Sequence, residues 1–118
     1  MNHQNGRKKL NMKSPHRVAV LRNQSIHLIK FGFLQTTKAR AKEVQRFVER
    51  LVTIARVGVH FNTIRRLNQF LPYDTKAVKK LLEEVAPKYK TRPGGYTRVI
   101  PLGMRASDTA TIARLEWV

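Results

Sequence analysis

From residue 14 to residue 87 the apolar side chains recur every three or four positions, and beyond residue 95 they alternate with polar ones. The first spacing is that of amphipathic helices and the second that of half-buried strands. Ser14-Pro15 reads as a helix start, with Ser as N-cap and Pro in the first turn. Val18, Leu21, Leu28 and Ile29 then share one stripe, and Ala19 and Ile26 give the helix a second packed side. Gly32 ends it, and residues 33–36 are short enough to pair as a strand. Thr37 caps a second helix, whose stripe is Ala41, Val44, Val48, Leu51, Val52 and Ala55 and which Gly58 closes. Its other face carries Lys38, Lys42, Gln45, Glu49 and Arg56. Residues 59–70 predict a third helix that stops before Pro72. Asp74 caps a fourth, with Val78, Leu81, Leu82 and Val85 inward, ended by Pro87.

After Pro87 the pattern changes. Residues 88–95 read as a basic loop, and residues 96–102 and 111–118 as strands rich in β-branched and aromatic side chains. In the last of these Ala113, Leu115 and Trp117 face one way, Arg114 and Glu116 the other. Pro101 belongs on a sheet edge, because it cannot donate to a ladder. The expected architecture is α+β: about four helices packed on a small mixed sheet. Residues 14–118 form one globular domain. Residues 1–13 are too polar to offset their ordering entropy and predict a flexible basic arm.

Composition narrows the chemistry. The chain has 118 residues, 24 Lys+Arg, 7 Asp+Glu and a net charge of +17. It contains no cysteine, which removes disulfides, thiolate zinc sites and thiol nucleophiles. No apolar run approaches the ~20 residues of a membrane span, and the polar opening residues do not resemble a signal peptide. Residues 1–42 hold ten cations and no acid, and residues 85–107 are acid-free again. A solvated surface normally mixes its signs, so two such stretches point to a polyanion.

The remaining chemistry is sparse. His3, His16, His27 and His60 show no metal-ligand spacing, and no Ser-His-Asp, H-E-x-x-H or phosphate-loop motif occurs. Glu83-Glu84 is a solvated pair on a helix. No catalysis, metal, cofactor or small-molecule substrate is expected. The candidate RNA ligands are instead basic. Arg7, Lys8, Lys9, Lys13, His16, Arg17 and Arg22 open the chain. Lys38, Arg40 and Lys42 stand at a helix N-terminus, where free amides and the helix dipole favour phosphate. Lys88, Lys90, Arg92, Arg98 and Arg105 follow, around the turn Arg92-Pro93-Gly94-Gly95-Tyr96. Pro93 and Gly94 suit the centre of a type II turn. The Gly94 and Gly95 amides can approach phosphates, and Tyr96 can stack on a base, with Tyr89 nearby.

These segments resemble a known family. Gly6-Arg7-Lys8-Lys9-Leu10-Asn11, Ser14-Pro15-His16-Arg17 and Leu21-Arg22-Asn23 are similar to the opening of the bacterial-type large-subunit ribosomal protein number seventeen. Thr36-Thr37-Lys38-Ala39-Arg40-Ala41-Lys42-Glu43 resembles its central motif. Ala86-Pro87-Lys88-Tyr89 and the turn at residues 92–98 resemble its most specific signature. The resemblance runs through nearly the whole chain. It implies a structural constituent of the large ribosomal subunit that binds 23S-type rRNA near the polypeptide exit tunnel. It also implies neighbouring large-subunit proteins, the thirty-second among them, as partners, and no membrane. The setting is a bacterial ribosome in the cytoplasm, or a mitochondrial or plastid one. The competing expectation is an architectural DNA-binding protein, which should present Asn, Gln or Arg on an outward recognition helix.

Overall fold

The computed structural model describes residues 13–118. The expected arm lies outside the described residues except for Lys13, and so do Arg7, Lys8 and Lys9. α1 (Ser14–Phe31) leads into β1 (Phe33–Thr37), and α2 (Lys38–Ala55) starts at the next residue. α3 (Phe61–Phe70) and α4 (Thr75–Lys80) follow. The helical path then widens to a π turn over Leu81–Val85 and tightens to a 3-10 turn over Ala86–Tyr89. A hairpin of β2 (Thr97–Met104) and β3 (Thr111–Trp117) completes the chain.

α2 is the centre of the core because its stripe is the longest unbroken one. All six predicted positions, Ala41 to Ala55, are buried. They meet Leu28 and Ile29 of α1, Leu67 of α3, and Ala113 and Leu115 of β3. Each fully buried Leu or Ile here contributes about 1.5–3 kcal/mol relative to exposure. Val18, expected in the α1 stripe, is instead 36% exposed near the free end of that helix.

The strand order is β1-β3-β2 and both pairings are antiparallel, so the sheet is not mixed. The short β2–β3 connection forces a reversal, and a parallel pair would have needed a long crossover. Pro101 lies on the edge strand as expected. The register slips between Pro101 and Gly103, placing a bulge at Leu102.

Element ends follow local chemistry, with some differences from expectation. Gly32 adopts φ +86° and its N–H bonds the Leu28 carbonyl, closing α1. Ser14 does not cap that helix: it lies inside it, after Lys13, and no side chain caps the end. Thr37 does cap α2, accepting from the Arg40 amide at 3.4 Å. Asp74 caps α4, accepting from the Ala77 amide at 3.0 Å. α3 begins at Phe61 rather than residue 59, because Gly58 at φ +123° breaks the helical path. Pro87 does not stop the helical path. It has no N–H for the preceding turn and its ring crowds the carbonyl there, and the turn before it widens; the path runs on to Tyr89, so Lys88 and Tyr89 are not loop residues.

Candidate nucleic-acid interface

The N-terminus of α2 carries no acid in its first turn, only Lys38 and Arg40 there, with Lys42 following. Counting onward from Lys38 in fours gives Lys42, Arg46 and Arg50, the last three exposed. Four cations at this spacing form one ridge along the helix. Like-charge pairs four apart each cost about 0.2–0.5 kcal/mol, so the ridge opposes helix stability by roughly 1 kcal/mol. A polyanion laid along it removes that cost. Arg50 is also held at its tip, its guanidinium over the Phe70 ring at 5.3 Å from the ring centre.

The neighbouring side of α2 has a different task. Gln45 Nε2 donates to the Thr97 carbonyl at 3.2 Å. Glu49 accepts from the Gly95 amide at 3.2 Å and from the Thr97 hydroxyl at 2.8 Å. Arg56 donates to the Arg92 carbonyl and, at 3.0 Å, to the Tyr96 hydroxyl, which also lies 3.3 Å from the Thr53 hydroxyl. Three turns of one helix thus clamp residues 92–97 through the backbone, leaving Lys88, Lys90 and Arg92 exposed.

The turn itself departs from type II. Gly94 and Gly95 both have positive φ, +142° and +66°, whereas a type II turn needs about +80° at the second central residue only. The Gly95 amide is spent on Glu49, which leaves Gly94 as the freer of the two. Tyr96 is 1% exposed, packed 5.4 Å from the Tyr89 ring, so it does not offer a face to a base. Tyr89 is buried too and donates its hydroxyl to the Val118 carbonyl at 2.9 Å; burial pushes that hydroxyl's pKa up. Tyr96 precedes β2, outside its alternation, and is held inward by the Tyr89 ring and by the Arg56 and Thr53 contacts to its hydroxyl.

Several predicted phosphate ligands already have anionic partners. Arg98 donates to one carboxylate oxygen of Glu116 through both Nε and Nη2, at 3.2 and 2.8 Å. Arg114 Nε lies 3.0 Å from the other oxygen, though not in hydrogen-bonding geometry. The Arg98 hydrogen bonds, then the charges of Arg98 and Arg114, hold the Glu116 carboxyl below its usual range. Arg105 pairs bidentately with Asp108 at 2.9 and 2.5 Å. That hydrogen bonding, with the Ala110 amide, pulls Asp108 down to about 2. Arg22 is a tie rather than a ligand: it donates to the Tyr73 hydroxyl at 3.2 Å and the Gln69 carbonyl at 3.3 Å. Lys13, His16 and Arg17 stay at the outer end of α1, with Arg17 3.4 Å from the Ser14 hydroxyl.

Apart from Lys13, the α1 residues His16, Arg17 and Arg22, and the buried Tyr96, the sequence-predicted residues among those described separate into three groups. Lys38, Arg40 and Lys42 share the start of α2. Lys88, Lys90, Arg92, Gly94 and Gly95 share the clamped loop. Arg98 and Arg105 sit on the hairpin with their own acids. Arg46 and Arg50 were missed, and counting in fours from Lys38 finds them. Among the described residues no group of three His, Asp or Glu side chains could hold a metal ion, and no helix is long and apolar enough to cross a membrane.

The described residues thus form a small α+β body with a cationic ridge along α2 and a clamped basic loop beside it. The family model for Ribosomal protein L17 matches residues 20–118. Large ribosomal subunit protein bL17 of Campylobacter jejuni (strain RM1221) is 45% identical over all 118 residues, spanning 99% of that protein. Its counterpart from Sphingopyxis alaskensis is 47% identical over the whole of this chain and 84% of its own length. That of Campylobacter lari is 45% identical over 99% of its length. The chain belongs to the ribosomal protein L17 family, a family of structural ribosomal proteins.

Proposed function

We propose that the chain is a structural constituent of the large ribosomal subunit of a bacterial ribosome, where it binds 23S-type rRNA near the polypeptide exit tunnel. Residues 14–118 are its rRNA-binding domain, and it performs no catalysis. The observation that carries the reading is the ridge Lys38, Lys42, Arg46 and Arg50: four cations at every fourth position of α2, with Lys42, Arg46 and Arg50 exposed. Such spacing tracks a phosphate backbone. The names of the relatives support the large subunit. The family resemblance supports the exit-tunnel location, and neighbours such as the thirty-second large-subunit protein. An architectural DNA-binding role is the alternative: Arg46 and Arg50 on the outward ridge suit either polymer, but the ridge's cations repeat at a spacing that tracks phosphates and it carries no Asn or Gln to read base edges.

The test is binding of large-subunit rRNA across a salt series. For ~6–10 phosphate contacts, affinity falls by about 10³ or more between roughly 50 and 200 mM salt. Lys42→Ala with Arg46→Ala lowers the log–log slope by about 0.7–0.9 for each cation removed. A flat salt dependence, or a protein that fails to co-sediment with large subunits at low salt, overturns the reading.

A further inference from the structure

The sheet has a second face that the cationic ridge does not explain. Leu34, Val99, Ala113 and Leu115 point toward the helices, so alternation turns Phe33, Gln35, Arg98, Ile100 and Arg114 outward. Register sets Gln35, Arg114 and Ile100 side by side in one row across the three strands, and Phe33, Glu116 and Arg98 in the next. The Arg114 guanidinium lies over the Phe33 ring at 4.3 Å. Beside this stack, at the end of α1, the His27 ring packs 4.7 Å from Phe31 and 6.4 Å from Phe33. His27 Nδ1 is fixed 3.1 Å from the Phe33 carbonyl, which orients the ring. Phe31 remains 64% exposed and Phe33 39% exposed. Further along the same side, Gln35, Leu102, Arg105 and Ile112 border an open hollow of about 500 Å³.

We propose that this outward face seats an unpaired nucleotide of the bound RNA, its base stacked on the cluster of Phe31, Phe33 and His27 and its edge within reach of Gln35 and Arg114. The proposal rests on the rRNA-binding reading above and adds which feature of the RNA this face takes. Duplex RNA presents phosphates, hydroxyls and groove edges, but the faces of its bases are already stacked on one another. Exposed rings beside a guanidinium and a carboxamide match the face and the edge of a splayed base. Arg98 and Arg114 outnumber Glu116 on these rows, so the face is positive, as an RNA strand requires.

The experiment compares two probes on the full chain, a short oligoadenylate and a short RNA duplex, at moderate salt. Phe31→Leu with Phe33→Leu should weaken the oligoadenylate by roughly tenfold or more while leaving the duplex and the salt slope unchanged. Phe33→Tyr, which keeps the ring, should bind like the parent. Circular dichroism confirms that each variant is folded, which the exposure of both rings favours. Equal losses on the two probes, or no loss on either, overturn the proposal. So does impaired incorporation into large subunits with unaltered oligoadenylate binding, which would make the face a protein contact. If the parent binds neither probe nor large-subunit rRNA, the rRNA-binding reading itself fails, and that outcome is separate.

Discussion

The loop at residues 92–96 and the hairpin tip at residues 105–110 each display an exposed arginine, Arg92 in one and Arg105 in the other, yet they are built in opposite ways. The loop is held from below by Gln45, Glu49, Thr53 and Arg56, residues about 35 to 50 positions away in sequence. Among the described residues the tip is held by its own bonds: Arg105 pairs with Asp108, and the Arg105 and Thr109 amides bond the Ala110 and Arg105 carbonyls. The loop therefore keeps its shape only while α2 is folded, whereas the tip can open without disturbing the body. The difference teaches which basic turn is preorganised by the body of the protein and which one is free to adapt.

The sharpest way to break the contrast is at Glu49. Glu49→Ala leaves the Gly95 amide and the buried Thr97 hydroxyl without their acceptor, costing about 2 kcal/mol. Thermal unfolding reads that loss, and amide exchange at Gly95 should accelerate while the tip amides keep their rates. Gly95→Val ranks next. Nothing lies within 4 Å of a Cβ at that position, so the cost is backbone strain at φ +66°, on the order of 1–3 kcal/mol. A urea titration should move in midpoint and keep its slope.

Arg92→Ala with Arg98→Ala sharpens the division of labour. The Arg98 side chain is mostly exposed in its pair with Glu116, so the melting temperature should change little. Incorporation into large subunits in competition with the parent chain should nevertheless fall. The smallest effect is at the tip. Arg105→Ala should leave the melting temperature unchanged but raise the Asp108 titration midpoint from about 2 toward the ordinary aspartate value, read by NMR. The folded-state carboxyl is depressed, so the pair is intact above the unfolded value and is lost as pH falls through about 2.

Much of this was legible in the chain because short-range rules set it. The stripes of α2 and α4, the caps at Thr37 and Asp74, the close of α1 at Gly32 and the inward set Ala113, Leu115 and Trp117 depend on neighbours within a few residues. The site was less legible because its pairings are distant. Nothing local says that Glu49 meets Gly95, or that Glu116 takes Arg98 across a hairpin. Tyr96 looked like a stacking residue from its basic flanks, and only the Tyr89 ring against it and the Arg56 bond to its hydroxyl show otherwise. Pro87 looked like a stop because the local rule allows no wider turn.

The edge strand β2 has a consequence for the protein before it meets any partner. A bare edge of eight residues invites a second copy to add its own strand. Here Pro101 removes one donor from the middle of that row, and the bulge at Leu102 shifts the remainder by one residue. An incoming strand can match the half before the slip or the half after it, but not both at once. The strand that frames the sheet's outward face thus carries its own guard against copies joining edge to edge into insoluble sheets.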